Sequence, residues 1–286
     1  MAGMLERLYL RYSSRFAGLR QVPVLGGLAH RISYSLLPPR RDLWFKVTQG
    51  LGEGLWLKLL PRTAGEYFHG RVEPGLQQVL VEYLRPGMVF YDLGANLGFF
   101  SLIAARLVAP QGRVYAFEAD PEAARRLTEH VERNDLRNVR VVERVVWSST
   151  GSVAFERADP SLTPDRGCGR AVATQAPTER TLTLPSTALD DFVHTEPPPD
   201  LIKCDVEGAE VEVFRGAQRL LADHRPLVEC EVHSDQNGTQ VAEIFAGLDY
   251  SLQWLPHRHL LATPPGPAGS RQIAPPSALD STRGLG

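Results

Sequence analysis

Val89-Phe90-Tyr91-Asp92-Leu93-Gly94-Ala95-Asn96-Leu97-Gly98-Phe99-Phe100-Ser101 reads as a buried strand that stops at an acid, crosses a glycine-rich turn and enters an apolar helix. A strand–turn–helix of this kind sets backbone N–H groups and one carboxylate around a small ligand at the carboxyl end of a parallel strand. The carboxylate constrains that ligand. Asp92 would repel a pyrophosphate, and the G-x-G-x-x-G pattern of dinucleotide binders is missing, which disfavours a dehydrogenase. An acid in the first loop suits a cationic ligand that carries hydroxyls and an amino group, a description that S-adenosylmethionine (SAM) meets.

A second signal follows roughly 20 residues further on, where nucleoside-binding α/β folds place the acid that holds the ribose hydroxyls. Arg113-Val114-Tyr115-Ala116-Phe117-Glu118 reads as the next strand, and Glu118 can accept from both hydroxyls. Asp92, Gly94, Asn96, Gly98 and Glu118 are therefore the expected cofactor-binding residues.

Outward from this centre the elements alternate as a doubly wound, mostly parallel seven-stranded α/β sheet requires. A helix over 75–84 leads into the first strand, and a second helix spans about 97–108. Asp120-Pro121 opens the next, with Asp as N-cap and Pro at the first helical position. Strand three is expected over 138–146. A turn-rich insertion over 148–199 should hold a hairpin of residues 152–157 and 180–184. Strand four ends at Asp205, a helix follows over about 208–222, strand five spans 226–233, and 250–261 supplies a final antiparallel pair.

Two clusters of acids fall where such folds do their chemistry. The strand-four corner reads Ile202-Lys203-Cys204-Asp205-Val206-Glu207-Gly208-Ala209-Glu210, and strand five ends Glu229-Cys230-Glu231-Val232-His233. Period-two alternation sends Glu229, Glu231 and His233 to one side. Asp205, Glu207, Glu231 and His233 are the expected catalytic set, with Asp205 and His233 as candidate bases and the other two orienting. Glu210 and Glu212 read as helix-start acids that face solvent or favour the dipole. His257 and His259 fall on an edge strand with no evident partner. The same acids would suit Mg²⁺; metal-independent catalysis is the preferred reading, and no metal ligands are assigned.

The run from Tyr67 to Leu255 resembles the FkbM-type SAM-dependent methyltransferases. The resemblance rests on the turn from Asp92 to Gly98, Phe117-Glu118-Ala119-Asp120-Pro121, Leu189-Asp190-Asp191-Phe192, the corner from Ile202 to Glu210, and Glu229-x-Glu231-x-His233. It implies a class I methyltransferase fold and O-methylation of sugars or natural-product hydroxyls. Two positions depart from the family pattern: Ala119 stands where proline usual follows the strand-two acid, and Cys204 stands where isoleucine is common.

The chain has 286 residues with 43% hydrophobic and 22% charged residues, ordinary values for a soluble α/β protein. A net charge of −2 supplies no global field for nucleic acid. Residues 1–41 differ: Arg7, Arg11, Arg15, Arg20, Arg31, Arg40 and Arg41 face the single acid Glu6, and Leu5, Leu8, Tyr12, Phe16 and Leu19 recur at helical spacing. Three cysteines without metal-ligand spacing point to a reducing, cytoplasmic setting. The expected organisation is a basic helical extension over 1–66, the catalytic domain over 67–262, and a Pro/Gly-rich disordered tail over 263–286. A small-molecule or glycan acceptor is expected, and the sequence leaves the oligomeric state open. The basic segment admits peripheral contact with an anionic membrane, or packing on its own domain. The competing functions are a nucleic-acid methyltransferase using this segment as its arm, and a non-catalytic SAM-binding module.

Overall fold

The computed structural model describes residues 42–60, 64–158, 169–172 and 178–265. It opens with an antiparallel hairpin, β1 (Leu43–Lys46) and β2 (Trp56–Leu59), followed by α1 (Gly65–Phe68) and α2 (Pro74–Tyr83). The nucleotide-fold elements come next: β3 (Val89–Leu93), α3 (Phe99–Leu107), β4 (Arg113–Phe117), α4 (Pro121–Arg133) and β5 (Val139–Val142). The insertion contributes β6 (Val145–Val146), β7 (Gly151–Glu156), β8 (Arg170–Val172), β9 (Thr181–Thr187) and α5 (Leu189–Phe192). Then follow β10 (Leu201–Cys204), α6 (Glu210–Arg215), α7 (Gln218–Asp223), β11 (Leu227–Glu231), α8 (Asp235–Ala246), β12 (Ser251–Leu255) and β13 (His259–Thr263).

The central sheet has seven strands in the order β12-β13-β11-β10-β3-β4-β5. β3, β4, β5, β10 and β11 are parallel, and β13 runs antiparallel to both of its neighbours. Alternation assigns successive side chains to two cores. Phe90, Leu201 and Leu227 join α2, α3 and the hairpin on one face; Tyr91, Ile202 and Val228 join α6, α7 and α8 on the other. Each large apolar side chain taken out of water contributes about 1.5–3 kcal/mol, so central strands buried on both faces anchor the ends that carry the site.

Asp120 caps α4 as expected, accepting from the N–H groups of Glu122 (2.8 Å) and Ala123 (3.3 Å). The hairpin expected in the insertion also forms, with β7 antiparallel to β9, and lies in a second sheet ordered β6-β9-β7-β8.

Three elements differ from expectation. Residues 43–59, assigned to a helical extension, form the β1–β2 hairpin because their apolar side chains repeat every second residue: Phe45, Val47, Leu55, Leu57 and Leu59 are buried, while Trp44, Lys46, Trp56 and Lys58 face outward. Residues 1–41, and with them the arginine stripe, lie outside the described residues, as does the tail from 266. Strand three breaks at the exposed Glu143-Arg144 pair, and Val145-Val146 leave the central sheet to pair with Ser186-Thr187 of β9. The helix expected over 208–222 divides at Gly216, where a Cβ would lie 2.2 Å from the Trp147 carbonyl oxygen. Asp190 stabilises that break: its N–H donates to Gly216 O (2.9 Å), and its carboxylate accepts from Leu220 N (2.8 Å) at the start of α7. Among the described residues no helix is long and apolar enough to cross a membrane.

Candidate active site

The turn after β3 is held by backbone contacts that exclude side chains. Gly94 N and Ala95 N both donate to Phe117 O, at 3.0 and 2.9 Å. Gly94 has φ +74°, and a Cβ there would lie 1.8 Å from the Asp205 carbonyl oxygen. The cofactor turn and the strand-four corner therefore touch through their main chains. Gly98 has φ +79°, and a Cβ would lie 2.0 Å from Leu127 Cδ1, so glycine lets α3 approach α4.

Asp92 stands near the end of β3, and its Oδ1 has no hydrogen-bond partner among the described residues. It is fully buried, accepts a hydrogen bond from Ser101 Oγ (2.5 Å), and lies 3.4 Å from Lys203 Nζ. Lys203, which in the sequence only interrupts an apolar run, is part of this arrangement. Its ammonium, 3% exposed, donates to Gly94 O (3.0 Å) and bridges Asp92 to Asp205 Oδ2 (3.4 Å). Burial alone would lower this ammonium's pKa; Asp205 and Asp92, with Glu73 and Glu229, outweigh that and hold it well above its ordinary value. Asp92 thus organises the turn through Lys203 and Ser101.

Glu118 lines the cleft itself. Its carboxylate accepts from Asn96 N (2.7 Å) and Asp120 N (2.8 Å), which fixes it at the mouth of the turn. Burial raises its pKa to about 7, against the lowering effect of those two N–H groups. Two of its lone-pair sites are used, leaving others for hydroxyl donors. Gly94, Asn96, Val145, Val146, Asp205, Val206 and Glu207 line the same cleft, with Gly169 and Ala171 of the insertion at its edge. Asn96 Oδ1 is buried with no hydrogen-bond partner among the described residues. A nucleoside with a cationic amino-acid tail fits this set: hydroxyls for Glu118, apolar walls, and a donor for the orphaned Asn96 oxygen.

The expected catalytic residues come together at the far side of the corner. His233 Nε2 lies 3.3 Å from Glu207 and 3.6 Å from Asp205, while Nδ1 donates to Glu210 Oε1 at 2.6 Å. Ligand atoms of Asp205, Glu231 and His233 lie within 4.8 Å of one another. Burial works to lower the His233 pKa, but the hydrogen bond to Glu210 and the charges of Glu210, Glu207 and Asp205 raise it to about 9.

Two expectations need correction. Glu210 does not face solvent; it is fully buried, accepting from His233, from Gly208 N (2.8 Å) and from Asn237 Nδ2 (2.7 Å). Burial favours its neutral form, yet these donors hold its carboxyl below the ordinary carboxylate range. His259 is not partnerless. β13 is an inner strand, paired with β11, and His259 Nδ1 donates to Glu229 Oε1 at 2.5 Å. That placement also brings in Glu73, at the start of α2, whose carboxyl burial raises to about 7 in company with Asp205 and Glu231. Burial, and next the Asp205 charge, raises Glu231 as well.

A profile of the Methyltransferase FkbM domain matches residues 92–255, from the acid of the cofactor turn to the end of β12. The chain belongs to the FkbM methyltransferase family. It is a SAM-dependent methyltransferase with the family's class I, Rossmann-like sheet. Among curated relatives it is similar to the hexuronic acid methyltransferase AglP of Haloferax volcanii, 28% identical over 178 residues that span 62% of this chain and 69% of AglP. It is also similar to a protein-L-isoaspartate O-methyltransferase of Aeropyrum pernix, 40% identical over 82 residues that span 27% of this chain and 31% of the relative. Among solved structures, the methyltransferase FkbM of Methylobacillus flagellatus aligns over 68% of this chain and 52% of its own, at 19% identity and a TM-score of 0.46. This chain therefore spans about half the length of that FkbM protein.

Proposed function

We propose that this chain methylates a hydroxyl group of a sugar, glycolipid or natural product. SAM, when bound, supplies a methyl group on a sulfonium. Glu118 takes the ribose hydroxyls, Asn96 Oδ1 and the turn at Gly94 take the amino-acid end, and Val145 and Val146 flank the base. The reaction is a displacement in which holding the acceptor oxygen in line provides much of the acceleration.

The observation that carries the acceptor class is the charge of the corner. Glu73, Asp205, Glu207 and Glu231 face it, while its buried lysine is already committed to Asp92, Gly94 and Asp205, and the charged His233 to Glu210, Glu207 and Asp205. A carboxylate acceptor, the group a hexuronic acid offers, would meet like charge there. A neutral hydroxyl would not, and it needs what the corner has: a nearby group to receive its proton as the new bond forms. Asp205 is that group. Lys203 and His233 hold its two oxygens from opposite sides, and His233, kept charged by its three carboxylate neighbours, steadies Asp205 rather than taking the proton itself. Glu207 and Glu231 orient the acceptor.

The test is product analysis with SAM and a panel of neutral glycosides and uronic acids, alongside SAM titration calorimetry. Asp205→Asn should keep SAM affinity and lose turnover by about 10²–10⁴-fold. A variant at full rate would remove Asp205 as the proton acceptor. Alkali-labile methyl esters from uronates, with no methyl ethers from glycosides, would overturn the hydroxyl reading.

A further inference from the structure

Beside the Asp205 corner lies a second group of ligand-type side chains, which shares Glu231 with the methyl-transfer reading and adds Glu73 and His259. Glu73 occupies the N-cap position of α2 with φ 40° and ψ 71°, and its side chain caps nothing. Its carboxylate instead meets Glu231, from the end of β11, and His259, from the start of β13. Ligand atoms of the three lie within 4.8 Å of one another. That separation matches two ligands on opposite sides of one ion at roughly 2.1–2.6 Å each.

We propose that Glu73, Glu231 and His259 bind one divalent cation of the Mn²⁺ type at the edge of the acceptor cleft. Its existence does not depend on the hydroxyl-acceptor reading; its role does, because an ion there would hold an acceptor's neighbouring oxygen next to Asp205. The support comes from outside the triad. Glu229 is 1% exposed, and its Oε1 accepts the Nδ1–H of His259 at 2.5 Å. Histidines that ligate metals are held in this way by a carboxylate, which fixes the tautomer and leaves Nε2 as the ligating nitrogen. The second oxygen, Glu229 Oε2, is buried and has no hydrogen-bond partner among the described residues. Lys203 is shared with Asp92 and Asp205, so one imidazole is set against three carboxylates of which one is wholly buried; a dication on its free nitrogen would balance them. One nitrogen and two carboxylate oxygens, with no sulfur ligand, suit Mn²⁺ better than Mg²⁺, which prefers oxygen and its own water shell.

The experiment uses the full-length chain, stripped with chelator and titrated with Mn²⁺ while the free-ion electron paramagnetic resonance signal is followed. One equivalent should bind. Glu229→Gln should weaken binding about 10–100-fold, Glu73→Gln and His259→Ala at least as much, and His257→Ala, an exposed neighbour, should match wild type. SAM titration of each variant confirms that the pocket has folded. The proposal is overturned by the absence of saturable binding, by binding that survives both Glu73→Gln and His259→Ala, or by binding that depends on His233 and not on His259. Failure of the wild type to bind SAM would instead sink the hydroxyl-methylation scheme and leave the Mn²⁺ result standing.

Discussion

Glu118 ties cofactor affinity to pH in a way that can be calculated. Its pKa rises from 4.5 to about 7 because the folded chain buries it. The unfolded chain ionises near 4.5, so between there and about 7 the folded state holds a proton that the unfolded state has lost. Stability of the ligand-free protein from this group is therefore fully present below 4.5 and is lost as pH rises to about 7, a change of about 3 kcal/mol. SAM binding runs the other way, because ribose hydroxyls need the ionised carboxylate. With a pKa of about 7, the competent fraction is about one in eleven at pH 6 and about nine-tenths at pH 8, so Kd should be about tenfold weaker at pH 6. Glu118→Gln should cost about 1.5–3 kcal/mol of charged hydrogen bonding, roughly 10–150-fold in Kd, and flatten the pH dependence. Calorimetric titrations at pH 6, 7 and 8 decide it. A wild-type Kd that is level across this range, or a Gln variant that keeps the slope, would refute the assignment of Glu118 to the ribose.

Lys203→Met would leave Asp92 and Asp205 facing each other without their shared cation, a loss of about 3–5 kcal/mol; a urea midpoint at neutral pH within 1 kcal/mol (about the worth of an exposed pair) of wild type would contradict the bridge. Gly94→Ala sets a methyl against the Asp205 carbonyl in a left-handed turn, about 1 kcal/mol of backbone cost plus about 1–3 for overpacking, and should abolish SAM binding; wild-type affinity would show that the turn and the corner are not in contact. His130 is neutral by burial and joins Lys58 N (2.9 Å) to Leu97 O (2.8 Å). His130→Phe should cost about 1–3 kcal/mol for each stranded group and expose the 48–54 loop to protease, whereas unchanged proteolysis would mean that the hairpin is held elsewhere.

The parts of the site visible in the sequence are those written along a single strand. Asp92 and Glu118 end apolar runs, and an acid that ends a buried strand has few places to go but a cleft. The residues that escaped notice owe their roles to neighbours distant in the chain. Lys203 reads as an interruption of an apolar run until β3 sets Asp92 in register beside it. Glu210 has the sequence position of a dipole acid, and only the approach of His233 and Asn237 turns it into a buried anchor. Glu73 and His259 meet because β13 inserts beside β11 rather than at the sheet edge. The hairpin over 43–59 is legible in its alternation, whereas the arginines that precede it favour one helical extension over the whole segment.

The insertion leaves the scaffold after Val146 and returns at Thr187, and these residues are paired side by side in β6 and β9. Its base is pinned where Gly216 passes beneath Trp147 and Asp190 closes over the start of α7. Departure and return share one small clasp, and from it β7 and β8 reach back to the cofactor cleft, where Phe155, Gly169 and Ala171 line the wall and Arg157 pairs with Asp120 (2.7 Å). Changes in this segment therefore reach the nucleoside end of the site, and chimaeras spliced at the β6–β9 clasp are the natural place to look for altered grip on the methyl donor.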